Sequence, residues 1–279
     1  MELAASPVKQ RALDLKIAVT QPDKIRQNDE FRSQLESIKP DAIIVVGYGR
    51  IIPQWMLDLP PLGNINLHAS LLPKYRGAAP IQWAIANGEI VTGVTTMQID
   101  AGLDTGDILL QKEIPIDPAD TSETLAPRLA ATGADLTVDT VQKLQSGTIK
   151  SSPQDHARST LAPILKKEDG RIDFSRSAQQ TLNRLRGFQP WPGAFTTFRG
   201  KNLNIWQAAA TQKAIPPGEL LSEGDGLFAG CAEGSALELL QLQPEGKKRM
   251  SARDFVHGYR PQPHEKLGPT ENRELRTGN

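Results

Sequence analysis

The chain has 279 residues, enough for one large or two moderate domains, and an ordinary apolar fraction of 38%. Its 32 Lys and Arg balance 32 Asp and Glu, so no global field draws it to nucleic acid or membrane, and a polyanion would have to be held by a local patch. The lone Cys231 excludes an internal disulfide and a cysteine-based zinc site, the apolar runs are strand-length, and the start lacks a signal peptide's apolar stretch; a soluble cytoplasmic protein is expected.

Residues 8–17 (VKQRALDLKI) and 28–40 (NDEFRSQLESIKP) read as helices around a short strand at 18–21, with Asn28 or Asp29 capping the second helix. DAIIVVG, residues 41–47, is a continuous β-branched run, as a buried parallel strand requires. NINLH, 64–68, is a second strand, and APIQWAIANG, 79–88, a helix with Gly88 as C-cap. GVTTMQI (93–99) and DILLQKEIPI (107–116) are further strands, followed by a long amphipathic helix from Asp120 or Thr121 to Gly147. This alternation argues an α/β layer fold with a mostly parallel sheet.

After Ile149 the stretch KSSPQDHARSTLAPILKKEDG is polar and aperiodic and reads as a linker. A helix over 172–188 leads into short β segments at 194–198, 203–209, 218–221, 226–232 and 236–243, spaced as in a small barrel or sandwich. A Ser251-capped helix follows, then a polar tail. The expected domains are 1–148 (α/β, catalytic), 149–169 (linker), 170–260 (β-rich) and 261–279 (disordered tail).

Three stretches carry candidate chemistry. Period-two alternation sets Asn64, Asn66 and His68 on one face of NINLH, with Ile65 and Leu67 on the other. His68 stands at the carboxyl end of the strand, where open α/β sheets bind ligands, and can exchange protons near neutral pH. Asn66 can donate an N–H to an oxygen that turns negative during acyl transfer. IDAGLDTGDILLQ, 99–111, holds Asp100, Asp104 and Asp107 in a Gly-containing loop, from which a carboxylate can orient an imidazolium. SLLPKYRGAAPI places apolar Leu71, Leu72 and Pro73 where turn residues are usually polar, as a flat heteroaromatic ligand would require. Taken singly, each has a plainer reading: a satisfied strand end, an acidic hairpin turn, an apolar plug under a loop. A metal site is disfavoured, since no second His is close in the sequence and the neighbour is a neutral Asn.

Together NINLHASLLPKYRGAAPIQWAIANGE and TGVTTMQIDAGLDTGDIL resemble the 10-formyltetrahydrofolate-dependent formyltransferases, and within them the branch whose acceptor is an aminoacylated initiator tRNA. The N-x-H-x-S-L-L-P and L-D-x-G patterns are intact, and RGAAPIQWAI differs from the branch acting on glycinamide ribonucleotide. Matches at SPVK, LAPILKKEDGRIDF, RGFQPWPGAF and LQLQPEGKKRMSARDF carry the likeness to about Tyr259. The resemblance implies a Rossmann-like, mostly parallel sheet followed by a small β-barrel-like domain. It implies formyl transfer from 10-formyltetrahydrofolate, without a metal, to the α-amino group of methionine esterified to initiator tRNA. Carried over by position, Asn66, His68 and Asp104 are catalytic, and Ser70, Leu71, Leu72 and Pro73 bind folate.

A neutral chain must gather positive charge locally to hold tRNA, and the candidates are Lys166, Lys167, Lys201, Lys247, Lys248, Arg249 and Arg253. A solvated basic face is the alternative for each. A monomer is expected. The family pattern opens with a β-α-β unit and a loop for the tRNA acceptor end, whereas MELAASPVK matches the stretch after that loop. The expectation is a sheet lacking those strands, with apolar faces of AIIVVG and NINLH exposed. Two rival readings are a formyltransferase of the same fold acting on an amino sugar or nucleotide, and a truncated, non-catalytic remnant that binds folate or RNA.

Overall fold

The computed structural model describes residues 5–268. The chain divides into two compact units, residues 1–65 and 66–279. In the first, α1 (Pro7–Asp14) opens at Ser6, whose hydroxyl accepts the Lys9 N–H, with Pro7 at its first position. α2 (Asp29–Ile38) opens at Asn28, whose side-chain oxygen accepts the Phe31 N–H at 2.9 Å. The strand expected at 18–21 is irregular, because those residues pair with no described strand and an unpaired extended run has no ladder to hold it. β1 (Ile43–Val46) is followed by α3 (Gln54–Leu57), a single turn too short for a periodic signal. No described residue before Pro60 is buried, and Ile44 and Val46 remain 39% and 61% exposed. An open hollow of about 670 Å³ lies beside them, lined also by Ile25, Phe31, Tyr48 and Met56.

β2 (Asn64–His68) crosses the division. The second unit continues with α4 (Pro80–Ala86), β3 (Val91–Gln98), β4 (Ile108–Pro115) and α5 (Ser122–Gln145). The sheet order is β1-β2-β3-β4, mostly parallel, with β4 antiparallel to β3 and the register breaking between Thr96 and Met97. Thr121 and Thr124 form a reciprocal cap on α5, whose Leu125, Leu129, Gly133, Leu136 and Thr140 make one buried stripe. Each of those leucines contributes about 1.5–3 kcal/mol of burial. Leu67 packs into this layer, and a Cβ at Gly133 would come within 2.7 Å of its Cδ2. The apolar face of NINLH is therefore covered, contrary to expectation: Ile65 is fully buried and Leu67 half-buried.

α6 (Ala178–Gly187) starts later than the sequence suggests, because Ser177 caps it and Asp173 ties residues 173–175 into a turn. Six strands follow: β5 (Ala194–Phe198), β6 (Lys201–Thr211), β7 (Leu220–Glu223), β8 (Gly226–Gly230), β9 (Ala236–Pro244) and β10 (Met250–Ser251), then α7 (Ala252–Tyr259). They are ordered β5-β6-β9-β8-β7 with β10 on β9, and do not close into the expected barrel. The coil at 265–268 stands where closure would occur. Leu220 N–H donates to Glu265 O at 2.7 Å and Leu267 N–H to Gly218 O at 2.7 Å, while Gly268 N–H donates to Thr197 O at 2.9 Å. This also corrects the expected disorder from 261; residues 269–279 lie outside the described residues. Beneath the sheet, Phe198, Phe255 and Tyr259 pack ring on ring, the last two stacked at 4.6 Å.

The stretch expected to be a linker, 149–169, is built into the second unit. Ser152 exchanges two 2.9 Å hydrogen bonds with Ile108, Ala162 is fully buried, and Leu165 joins Ala79, Ala86 and Phe188 in one cluster. α4 and α6 pack so closely that a Cβ on Gly187 would meet Gln82 O at 2.6 Å. The division between units accordingly falls inside β2 and not at 149–169. No described helix is long and apolar enough to cross a membrane.

Candidate active site

β2 delivers Asn66 and His68, and the β3–β4 loop delivers Asp104. Asn64, two residues earlier, is spent elsewhere: its amide donates to Met56 O and Leu57 O at 3.2 and 2.9 Å, closing the end of α3. His68 is 6% exposed. Its Nε2 lies 2.8 Å from Tyr75 O and its Nδ1 3.7 Å from Asp104 Oδ2. A carbonyl only accepts, so Nε2 carries the hydrogen shared with Tyr75 O, and Nδ1 is the nitrogen that faces the Asp104 carboxylate. Asp104 is fixed in turn, its Oδ2 accepting the Gly77 N–H at 2.8 Å and its Oδ1 facing Asn66 Nδ2 at 3.4 Å. Asn66 and His68 thus both face the Asp104 carboxylate.

Gly77 must be glycine there. It has φ +117°, and a Cβ would stand 2.7 Å from Ala162 O.

The S-L-L-P loop is a rigid shelf. Ser70 is fully buried, its hydroxyl donating to Lys74 O at 2.7 Å, and its carbonyl accepts from the Thr95 hydroxyl at 2.6 Å. Leu72 is 3% exposed, its N–H bonded to Thr95 Oγ1 at 3.2 Å. Gln111 adds a 2.8 Å bond to Leu72 O, and the Leu72–Pro73 bond is cis. Leu71 and Pro73 are partly exposed, and Leu71 packs over Gly93, where a Cβ would stand 2.5 Å from its Cδ2. Of the two other loop carboxylates, Asp100 holds the loop by accepting from Thr105 and the Gly102 N–H, and Asp107 accepts from Ser151 at 3.1 Å.

Sequence reasoning missed Arg76, Gln154, Thr160 and the carbonyl of Tyr75. Arg76 is a buried guanidinium bonded to neutral partners, Gln154 Oε1 at 2.6 and 3.1 Å and His156 Nδ1 at 3.1 Å. The Tyr75 phenol is pushed up to about 12, chiefly by burial, and donates to Glu89 at 2.9 Å. A buried Gln in an aperiodic stretch has no pattern to betray it, and a main-chain acceptor leaves no trace in side-chain identity.

The basic candidates do not all gather in one place. Lys247 and Lys248 are exposed in the β9–β10 turn, next to Arg249, whose guanidinium lies over the Trp206 ring at 3.3 Å. That indole donates to Gln243 Oε1 at 2.9 Å, and the Gln243 amide donates to Lys247 O at 3.0 Å, so the turn is pinned. Lys201 joins it, because the Glu245 N–H donates to Asn202 O at 2.9 Å and the Asn202 N–H donates to Glu245 Oε2 at 3.0 Å. Arg253 instead pairs with Asp225 at 3.5 Å, an exposed contact worth little. Lys166 and Lys167 sit in the 149–169 stretch, Lys167 opening a short 3₁₀ turn (Lys167–Gly170).

Residues 4–141 match the family model described as Formyl transferase, and residues 164–260 match Formyl transferase, C-terminal domain. The chain is 69% identical over 268 residues to a methionyl-tRNA formyltransferase from Koribacter versatilis (strain Ellin345), covering 96% of this chain and 86% of that one. It is 57% identical to a protein of the same name from Acidobacterium capsulatum, covering 96% and 87%. Among solved structures it resembles an N-formyltransferase from Helicobacter canadensis in complex with folinic acid and dTDP-3-aminofucose. That likeness, at a TM-score of 0.63 and 21% identity over 84% of this chain and 81% of that one, speaks to the fold.

Proposed function

The chain belongs to the formyl transferase family, carrying its N-terminal and C-terminal segments in order, and from that premise we propose that it moves a formyl group from 10-formyltetrahydrofolate to the α-amino group of methionine on initiator tRNA. The observation that supports the chemistry is that Asn66 and His68 both face the Asp104 carboxylate. The choice of acceptor rests on the printed name of the relative that is 69% identical.

The donor set fits a formyl-bearing folate: an amide, an imidazole and a carboxylate beside the apolar, half-exposed Leu71 and Pro73. Leu71 and Pro73 would line the ring system, while buried Ser70 and Leu72 shape the shelf from beneath. Bound there, 10-formyltetrahydrofolate supplies an activated one-carbon unit. Asn66 has two amide hydrogens; one suffices for Asp104 and the other donates to the oxygen that gains negative charge. His68, which Asp104 faces across Nδ1, serves the proton transfer, giving a proton to the departing nitrogen and recovering one from the attacking amine, so that the ring ends as it began. Asp104 keeps the ring oriented and its positive charge balanced. Lys201, Lys247, Lys248 and Arg249 would take tRNA phosphates, with Lys166, Lys167 and the paired Arg253 adding less.

The test supplies 10-formyltetrahydrofolate with either initiator methionyl-tRNA or a nucleotide-linked amino sugar. Formyl-methionyl-tRNA should form, at a rate that falls as salt rises. Formylation of the amino sugar alone would replace the proposed acceptor, and no turnover with either would overturn the enzymatic reading for this chain.

A further inference from the structure

Both acceptors that face His68 stand on unusual backbone. Tyr75 has φ 61° and Asp104 φ 52°, and neither is glycine. A left-handed conformation at such residues costs on the order of 1–3 kcal/mol and persists only where the surroundings fix it. In both cases the same short segment does the fixing. The Gln154 side-chain amide, 5% exposed, donates to Asp104 O at 2.9 Å and to Gly106 O at 2.7 Å. Its carbonyl accepts both bonds from Arg76. Six residues on, the Thr160 hydroxyl accepts the Tyr75 N–H at 2.8 Å and the Thr160 carbonyl accepts the Arg76 N–H at 2.9 Å.

The segment is anchored at both ends, by the Ser152–Ile108 pair and by buried Ala162, whose N–H donates to Arg76 O at 2.7 Å. It lies between the two stretches matched to the family models, 4–141 and 164–260.

We propose that residues 151–162 are a strap that positions the His68 imidazole through its two partners, with Gln154 setting Asp104 and Thr160 setting the Tyr75 carbonyl. This rests on His68 being the reacting imidazole. A partner shifted by a fraction of an ångström presents the same atoms in the wrong place. Turnover then suffers while substrate binding does not.

The experiment compares Thr160→Val, Thr160→Ser, Gln154→Glu and His68→Ala in the full chain. Thr160→Val keeps shape and loses the acceptor; Gln154→Glu keeps an acceptor for Arg76 and loses both loop donors. Each should lower kcat, by about 10-fold for Thr160→Val and on the order of 100-fold for Gln154→Glu, with KM for both substrates within about twofold. Thr160→Ser should restore the wild-type rate, and neither strap change should add to the loss in a His68→Ala background. Unchanged kcat in Thr160→Val, failure of Thr160→Ser to rescue, or full additivity with His68→Ala would each overturn the strap. If Gln154→Glu fails to fold, the exposed Thr160 pair still decides. Unchanged turnover in His68→Ala alone would instead remove the underlying role of His68, and the strap with it.

Discussion

The His68 pocket and the basic turn between β9 and β10 are built to opposite rules. In the pocket, His68, Ser70, Arg76 and Gln154 are buried and their bonds interlock through two loops and the strap. In the turn, Lys247 and Lys248 lie in solvent, and only the chain beneath them is fixed, through Arg249, Trp206 and Gln243. Hydrogen bonds strengthen away from water and unpaired groups there are costly, so a reacting carbonyl must meet donors already in place. A polyanion is held by counting charges within a Debye length of about 8–10 Å, which tolerates loose side chains. Damage in the pocket should therefore appear in kcat, and damage in the turn in KM and salt dependence.

The largest effect expected from that contrast is Asp104→Asn. The substitution keeps size and leaves an acceptor for the Gly77 N–H, but removes the charge opposite His68 Nδ1. A loss of about 10³–10⁴-fold in kcat, measured under saturating substrates, is the expected outcome by comparison with other His–Asp pairs. A loss below about tenfold would mean the pocket's interlock does not serve the imidazole. Asn66→Ala comes next, at roughly 10²–10³-fold in kcat with KM nearly unchanged, as for one oxyanion donor. An increase in KM with kcat intact would turn Asn66 into a substrate-binding residue.

Smaller effects belong to the turn. Lys247→Ala and Lys248→Ala should each raise KM for tRNA several-fold, leave kcat alone, and lower the slope of log affinity against log salt by about 1. Arg253→Ala should do less, since Asp225 already answers that charge. Equal effects from all three would show that proximity to the pinned turn does not matter.

The pattern of legibility follows the same contrast. NINLH could be read because a strand's period of two exposes its plan; the glycine-containing loop marked Asp100, Asp104 and Asp107 alike, and only the family resemblance singled out Asp104. Thr121 and Ser251 announced helix starts through a local bond that each residue type makes by itself, whereas Ser177 was passed over because the helical pattern runs back to Ile172. The strap was invisible, since irregular coil earns its place through contacts with residues up to 85 positions away, as between Thr160 and Tyr75. Barrel closure failed for a related reason: residues 265–268 carry no strand pattern, yet their main chain bonds to Gly218, Leu220 and Thr197. At 18–21 a strand-like composition existed without a neighbour to pair with.

The smallest effect separates the two contributions of Tyr75. Its main-chain carbonyl faces His68, while its phenol donates to Glu89 and accepts from Asn87 at 3.4 Å. Tyr75→Phe should therefore leave kcat at pH 7–8 within about twofold and cost about 1 kcal/mol of stability, the net worth of an ordinary hydrogen bond. Burial raises the phenol from 10.0 to about 12, and Glu89 adds to the rise. A raised value means the folded state holds the proton more tightly. The associated stability is complete below pH 10 and drains away as pH climbs through 12. The buried Cys231 thiol, pushed up from 9.0 to about 11, loses its share over a lower window. Denaturant unfolding from pH 8 to 12 should show a decline in the wild type whose upper part is absent in Tyr75→Phe and whose lower part remains. A kcat that drops with the phenol would break the separation between ring and carbonyl, because the hydroxyl would then be steering the imidazole as well.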